Sequence, residues 1–117
     1  MDELKLNIIK SELAITNNNI NLGENLIFQF NIELDLEETK LIRIDYGICF
    51  IRANGSYLKK IFRLSEKLAV NNKINVIKRH PFKDYTTRKH YSGKHQLFIM
   101  INGTVVAEQD FNLFIKN

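Results

Sequence analysis

The sequence predicts an all-β fold, because its dominant hydrophobic period is two. Alternation of apolar and polar residues is typical of strands that bury one face. Turn residues recur about every 8–12 positions, and no apolar stripe of helical period extends over about three turns. These observations favour an antiparallel, immunoglobulin-like β-sandwich of about seven or eight strands over a closed barrel or a parallel α/β fold.

Size and composition indicate one globular domain. The 117 residues suit a single domain spanning 1–117, and 44% hydrophobic with 26% charged residues is ordinary for a globular protein. No apolar run approaches the roughly 20 residues of a membrane helix, so no membrane association is expected. Met1–Lys5 lacks a signal-peptide pattern, and the single cysteine, Cys49, fits a reducing compartment. A cytoplasmic location is therefore predicted.

The N-terminal half begins with two short predicted strands, Leu4–Ile9 and Leu13–Thr16, followed by a turn at Asn17–Asn19. The next strand is apolar at its even positions, which are Leu26, Phe28, Phe30, Ile32, Leu34 and Leu36. A polar turn is expected at Glu37–Lys40. The strand after it is apolar at Ile42, Ile44, Tyr46, Ile48 and Phe50. Both long strands are expected to bury their even face.

The central part of the chain predicts a hairpin. Asn54-Gly55 suits the left-handed positions of a tight hairpin turn, and the returning strand is expected at Tyr57–Leu64. Glu66–Val70 has room for one short helical turn at most. Asn71-Asn72 marks the next turn.

The C-terminal half predicts three strands. Ile74–His80 is strand-like, and Pro81 ends that strand or places it at a sheet edge, because proline lacks a backbone donor. The last pair meets at Asn102-Gly103. Its apolar residues are Leu97, Ile99 and Ile101, then Val105, Ala107, Phe111, Leu113 and Ile115. The returning strand is expected to slip or bulge near Gln109.

Positive charge is concentrated in residues 78–95, which also hold all three histidines. Six basic side chains face the single acid Asp84, a net charge of +5, whereas the whole chain carries +4. The strand pattern divides this stretch, because Ile77–His80 ends one strand and Tyr91–His95 begins another. Lys83–Lys89 is left as a free basic loop. The candidate polyanion-binding residues are Lys78, Arg79, Lys83, Tyr85, Arg88, Lys89 and Lys94.

The basic loop has two interpretations. In the functional interpretation, Arg88 binds a phosphate through two N–H groups of its planar guanidinium, while Lys83 and Lys89 act as point charges. Tyr85 and Tyr91 would stack on exposed bases. In the other interpretation, the cations keep an edge strand soluble and block the addition of further strands.

Catalytic and metal chemistry find little support in the sequence. His80, His90 and His95 are spaced by ten and five residues, unlike the tight ligand pairs of zinc sites. Ser92 does not lie in a nucleophile elbow, and the isolated glycines form no phosphate loop. No metal, cofactor or enzymatic activity is predicted. The histidines are expected to be framework residues, and Tyr91 to form the tyrosine corner of a sandwich.

Six segments match a known pattern, in order over roughly residues 20–115. They are Leu41–Tyr46, Ile51–Gly55, Lys60–Leu64, Lys78–Lys83, Thr86–His95 and Ile101–Glu108. The known pattern contains an ANG hairpin, a KxHxF strand end and a TTRxxYPGxH segment. This chain has Ser92 where the last segment of the pattern has proline. These segments resemble the C-terminal β-sandwich module of bacterial DNA alkylation repair family proteins.

The resemblance implies a module that follows a helical-repeat, DNA-glycosylase-like domain. The residues that hold alkylated DNA in that family lie on the repeats, so no catalytic residue carries over to this chain. The expected function is a non-catalytic accessory module that binds the DNA backbone through the basic loop, or docks a helical-repeat DNA repair domain there. The alternative is a structural or protein-interaction module that pairs through a sheet edge, without a nucleic-acid role.

Overall fold

A computed structural model describes residues 7–35, 41–68, 73–82 and 90–115. These residues form eight strands: β1 (Asn7–Ile15), β2 (Asn19–Asn21), β3 (Asn25–Asp35), β4 (Leu41–Ile51), β5 (Tyr57–Leu68), β6 (Lys73–Pro81), β7 (Gly93–Ile101) and β8 (Thr104–Phe114). Two sheets enclose a common hydrophobic core, so the predicted all-β sandwich is confirmed. The described residues include no helix that is long and apolar enough to cross a membrane.

The three-stranded sheet has the order β1-β3-β6, with antiparallel pairing throughout. β3 lies at its centre and alternates as predicted, because each even position from Leu26 to Leu34 is at most 2% exposed. β6 is an edge strand that ends at Pro81, as expected for a residue without a backbone donor.

The five-stranded sheet has the order β2-β8-β7-β4-β5. Its pairings are antiparallel except that β2 runs parallel to β8, with Ile20 opposite Leu113. After β1, the chain passes from the three-stranded sheet to the five-stranded sheet, where it forms β2. In the order of the five-stranded sheet, β5 is one edge strand and the short β2 is the other.

Several predicted strand limits were wrong, and long-range pairing explains each difference. From Asn7 to Ile15, β1 is continuous across the described part of the two predicted strands, because a register shift between Ile8 and Lys10 breaks the alternation, and residues 4–6 lie outside the described ranges. β5 extends to Leu68, where β4 pairs with it, so the described part of Glu66–Val70 is strand rather than helix. The bulge of β8 lies at Val106 instead of Gln109. The turns predicted at 37–40 and 71–72 lie outside the described residues.

The two Asn-Gly turns differ. Asn102 and Gly103 both have positive φ angles, 49° and 84°, which is the tight two-residue hairpin turn. At Asn54-Gly55 the glycine alone adopts a positive φ. The Gly55 N–H bonds to the Arg52 carbonyl at 3.0 Å, and the Asn54 side chain accepts the Ser56 N–H. The tight turn predicted at Asn54-Gly55 is therefore a longer, three-residue loop.

The core differs in composition between its two ends. We define the aromatic end by its ring residues, which are Phe28, Tyr46, Phe50, Phe82, Phe111, His80, His90 and His95. We define the aliphatic end by Ile32, Leu34, Ile42, Ile44, Ile74 and Ile101. Phe82 and His90, the described residues that flank the basic segment 83–89, both belong to the aromatic end.

Candidate nucleic-acid interface

The base of the basic loop is fixed in the core. Phe82 is 0% exposed and His90 is 5% exposed, and their rings meet edge to face with centroids 5.1 Å apart. These two residues directly precede and follow residues 83–89. The loop therefore begins and ends at one buried contact.

Four of the seven candidate binding residues belong to that loop. Lys83, Tyr85, Arg88 and Lys89 lie outside the described residues, so their predicted role stays a prediction. The structure fixes where the chain enters and leaves this segment, through Phe82 and His90.

The other three candidates lie on two strands that belong to different sheets. Lys78 is half-buried on the core-facing side of β6, in register with the buried Phe28. Arg79 points to the opposite side of β6 and is exposed. Lys94 lies on β7, in the other sheet. The seven-residue binding site as a whole stays a prediction, because four of its residues lie outside the described ranges.

Lys78 fits the protective interpretation better than the binding one. A lysine on the inward face of an edge strand hinders the addition of another strand, because its charge would have to be buried. Its partner across the sheet, Phe28, belongs to the core. The alternative function, docking through a sheet edge, is disfavoured at β6 for the same reason.

Lys94 is paired with an acid of the neighbouring strand. Its Nζ lies 3.0 Å from an Asp110 carboxylate oxygen, and this hydrogen bond together with the carboxylate charge raises the pKa of Lys94. Tyr57 donates its hydroxyl to the Lys94 carbonyl at 3.2 Å. Both residues line an open cleft of about 360 Å³ on the outer face of the five-stranded sheet. Because its charge is compensated, Lys94 is a weak candidate for phosphate binding.

His95 is a framework residue, as predicted. It is 1% exposed, and its ring stacks on Phe111 with centroids 5.5 Å apart. Nε2 lies 3.0 Å from the Tyr91 carbonyl and donates to it, while Nδ1 accepts the Ile51 N–H at 3.4 Å. These bonds select a neutral tautomer, and burial lowers the pKa of His95.

His80 also serves the core. It is 8% exposed, and its Nδ1 is hydrogen-bonded to the Tyr46 hydroxyl at 2.8 Å. Burial raises the pKa of Tyr46, so the phenol stays protonated at neutral pH. The His80 ring packs edge-on against Phe62 and Phe82. This polar pair ties β4 to the end of β6.

The three histidines surround a phenyl ring. Their centroids lie 5.3 Å (His80), 5.1 Å (His90) and 6.1 Å (His95) from that of Phe82. Within the described part of the chain, no three His, Cys, Asp or Glu side chains are grouped as metal ligands. The arrangement suits packing, because ring edges and faces attract one another at these distances.

The predicted bond of Tyr91 back to the preceding loop involves residues 83–89, outside the described ranges, so the tyrosine corner stays a prediction. The Tyr91 side chain is 37% exposed, and the residue contributes its backbone carbonyl, which accepts from His95. Ser92 accepts the Ile115 N–H through its hydroxyl at 2.9 Å, a bond that a proline at this position could not make. The sequence departure at Ser92 therefore links this segment to the end of β8.

The role of Phe82 in fixing the start of residues 83–89 was not predicted from the sequence. It could have been inferred from the position of Phe82, an apolar residue between Pro81 and a polar segment. The Phe82 N–H donates to the Glu24 carbonyl at 3.0 Å, and its carbonyl accepts the Gly23 N–H at 2.7 Å. These bonds fix Phe82 against the turn before β3.

The comparison with protein families gives a direct assignment. A model described as "Uncharacterised protein YhaZ, C-terminal Ig-like domain" matches residues 10–115. The chain belongs to this family. The family description and the two-sheet architecture together confirm the predicted immunoglobulin-like sandwich. Uncharacterized protein YhaZ of Bacillus subtilis (strain 168) is 40% identical over 93 residues, which cover 79% of this chain and 26% of YhaZ.

Two solved structures show the same fold within longer chains. The alkylpurine DNA glycosylase AlkC of Pseudomonas fluorescens, solved bound to DNA containing an abasic site analog, matches 92% of this chain with a TM-score of 0.83 and 28% identity. The match spans 30% of AlkC. A β-glucosidase of Listeria innocua matches 89% of this chain at 15% identity and a TM-score of 0.66, which shows the fold alone. The AlkC match agrees with the predicted link to alkylation repair proteins.

Proposed function

We propose that this chain is a non-catalytic accessory domain, a single sandwich spanning residues 1–117, that binds the DNA backbone for a longer cytoplasmic protein. The observation that carries the proposal is the buried contact between Phe82 and His90. Residues 83–89, which contain Lys83, Arg88 and Lys89, connect these two buried positions in the sequence. A tethered cluster of cations attracts a polyanion more strongly than dispersed charges do.

The mechanism is charge neutralisation with release of counterions. Arg88 would bind a phosphate through two parallel N–H donors, and Lys83 and Lys89 would contact neighbouring phosphates as point charges. Tyr85 would stack on an exposed base where the DNA is single-stranded or distorted. The result is an affinity for DNA with little dependence on base sequence.

The comparisons support DNA as the polyanion and a longer protein as the context. AlkC was solved bound to DNA, and the part of AlkC that matches covers 92% of this chain. The chain spans about a quarter of YhaZ, 26%, which supports a role within a longer protein. A helical-repeat DNA repair domain is the proposed neighbour.

Fluorescence anisotropy with labelled duplex and single-stranded DNA tests this function. With three neutralised phosphates, the association constant should fall about 40-fold between about 50 mM and about 200 mM salt, because each contributes about 0.9 to the logarithmic slope. The Arg88→Ala/Lys89→Ala variant should bind more weakly at low salt. Its association constant should then fall only about fourfold over the same salt range.

Lys10→Ala/Lys73→Ala is a matched control, because it removes the same charge from the outer face of the three-stranded sheet, near Glu12 and Glu33. This variant should retain the salt slope of the unmodified chain. The proposal is wrong if the unmodified chain does not bind DNA at low salt. It is also wrong if the control weakens binding as much as the loop variant does.

A further inference from the structure

The outer face of the five-stranded sheet carries large apolar side chains that are not part of the core. Leu97, Ile99 and Ile101 of β7 point into the sandwich, whereas Phe98 and Met100 alternate with them and lie on the opposite face. Outward-facing positions of a sheet are normally solvated and polar. Here Phe98 is 3% exposed and Met100 is 9% exposed.

Phe98 lies flat on the sheet because its neighbour on β4 has no side chain. A Cβ atom at Gly47 would come within 2.0 Å of the Phe98 ring, so the ring covers the Gly47 backbone. The Lys59 Nζ lies 4.6 Å from the ring centroid on the solvent side, in a cation–π contact. On this outer surface of the sheet, the ring is therefore enclosed between the Gly47 backbone and the Lys59 side chain.

Two exposed apolar side chains extend this surface across the sheet. Ile61 of β5, which pairs with Gly47, is 53% exposed. Val105 of β8, which pairs with Met100, is 45% exposed. We call Ile61, Phe98, Met100 and Val105 the outer-face patch.

Charged residues border the outer-face patch. Asp45, which is 6% exposed, pairs with Met100 across the sheet, and its carboxylate contacts Arg43 at 3.2 Å and Arg63 at 3.8 Å. An apolar centre with a charged border is the usual composition of a protein interface. The outer face of the three-stranded sheet has a cleft lined mainly by polar residues: Lys10, Glu12, Asn31, Ile32, Glu33, Lys73 and Asn75.

The first described strand, β1, lies beside the β8 border of this patch. β1 runs along β8, where the Ser11 hydroxyl donates to the Val106 carbonyl at 2.7 Å. The matched regions span 26% of YhaZ and 30% of AlkC, and the family description places the domain at the C-terminus of YhaZ. The rest of YhaZ therefore precedes β1, the strand that contacts β8. A neighbour in the same chain has a high effective concentration at this domain.

We propose that the outer-face patch is the surface against which the preceding part of YhaZ-type proteins docks in cis. The inference rests on the proposed function in taking this chain as an accessory domain of a longer protein. The partner surface would be apolar at its centre and would carry carboxylates opposite the Arg43 and Arg63 side. Contacts between domains of one chain are typically modest in area and partly polar, which fits this patch.

Thiol reactivity tests the docking. Ile61→Cys and Ile77→Cys are made in a Cys49→Ser background, in the 117-residue chain and in Bacillus subtilis YhaZ carrying this chain as its C-terminal domain. Ile77 is the matched control, because it is 70% exposed on edge strand β6 of the other sheet. Docking should slow the reaction of Ile61→Cys at least about tenfold in the longer protein and leave Ile77→Cys unchanged. Equal rates at position 61 in the two proteins would overturn the proposal.

Other occupants give different results. If position 61 in the isolated chain becomes protected as protein concentration rises, the occupant is a second copy, and the cis proposal is wrong. Protection that requires added DNA also overturns it. As a second measurement, Ile61→Asp should lower the unfolding midpoint of the longer protein but not that of the isolated chain, and Ile77→Asp should change neither. An equal effect of both substitutions in the longer protein counts against docking.

The two proposals fail separately. Arg88→Ala/Lys89→Ala should leave the protection of Ile61→Cys unchanged, because the residues that flank the loop, Phe82 and His90, belong to the aromatic end. Absence of DNA binding with intact protection would refute the DNA-binding function alone. Absence of protection with intact DNA binding would refute the docking surface alone.

Discussion

The aromatic end and the aliphatic end are formed by opposite ends of the same long strands. They differ in the kind of connection that the core must support. At the aliphatic end, β7 and β8 are joined by the two-residue turn at Asn102-Gly103, and the core needs only shape and apolar area. At the aromatic end, the segment between β6 and β7 is long and basic. It is anchored by rings and buried hydrogen bonds around Phe82.

This difference shows how a sandwich can carry a charged loop. An aliphatic core is non-directional, so it would not fix the positions at which a long loop begins and ends. Hydrogen bonds of His80 and His95, by contrast, have defined partners and angles. Each buried polar atom at the aromatic end needs its hydrogen-bond partner. Small substitutions that remove a partner are therefore expected to lower the stability of the domain.

The largest expected effect comes from Phe82→Ala. Loss of the ring should lower the free energy of unfolding by about 3–5 kcal/mol and release the base of the loop, which should also weaken DNA binding. Ile74→Ala is the counterpart at the aliphatic end and should cost about 2–5 kcal/mol without changing DNA affinity under conditions where the protein is folded. Urea denaturation and anisotropy measure both. An equal loss of DNA affinity in the two variants would remove the functional difference between the ends.

Tyr46→Phe should have an intermediate effect. It removes the hydroxyl that bonds His80 Nδ1 and keeps the ring, so the expected loss is about 1–3 kcal/mol from a buried polar atom without its partner. Tyr57→Phe is the matched control, because the Tyr57 hydroxyl bonds the Lys94 carbonyl at an exposed position. The control should change stability by no more than about 0.5 kcal/mol. Similar losses of unfolding free energy in the two variants would show that the buried bond to His80 stabilises the domain no more than the exposed bond does.

The smallest expected effect is a dependence of stability on pH that originates at the aromatic end. Burial lowers the pKa of His95, so below the ordinary histidine value of about 6.5 the unfolded chain binds more protons than the folded one. This contribution is complete above about pH 6.5 and is lost as the pH falls toward the folded pKa. Urea midpoints at about pH 7.5 and about pH 5.5 measure it.

His95→Gln should reduce that decline because it removes the titrating ring. Ile74→Val, at the aliphatic end, should lower stability by about 0.5–1.5 kcal/mol and keep the full pH dependence. If His95→Gln declines with pH as steeply as the unmodified chain, another group controls the titration.

The long central strands could be read from the sequence because each buries one face against the core. In β3 and β4, the predicted even positions from Leu26 to Leu34 and from Ile42 to Phe50 are the positions that the core covers, and Leu36 lies outside the described residues. Local patterns failed where pairing changes register, as at Ile9 in β1 and Val106 in β8. A bulge moves later side chains to the other face, and nothing in the local sequence specifies where it falls.

The candidate site was predicted in part. Its charge and its division by two strands follow from the sequence alone, and so does the framework role of His95. That Lys78 and Lys94 belong to different sheets could not be read from their spacing. The outer-face patch was also missed, because Phe98 and Met100 continue an apolar run in which inward and outward positions look alike.

By itself, the sequence determined the sandwich class, the face that each long strand buries and the place of the charge, because these properties depend on residue order and period. The tertiary structure decided which residues meet: that Phe82 and His90 close the loop, that Lys94 faces Asp110, and that Phe98 covers Gly47. These contacts join residues from different strands or from the two sides of a loop. Their geometry is set by strand order, register and the packing of two sheets, none of which a one-dimensional pattern contains.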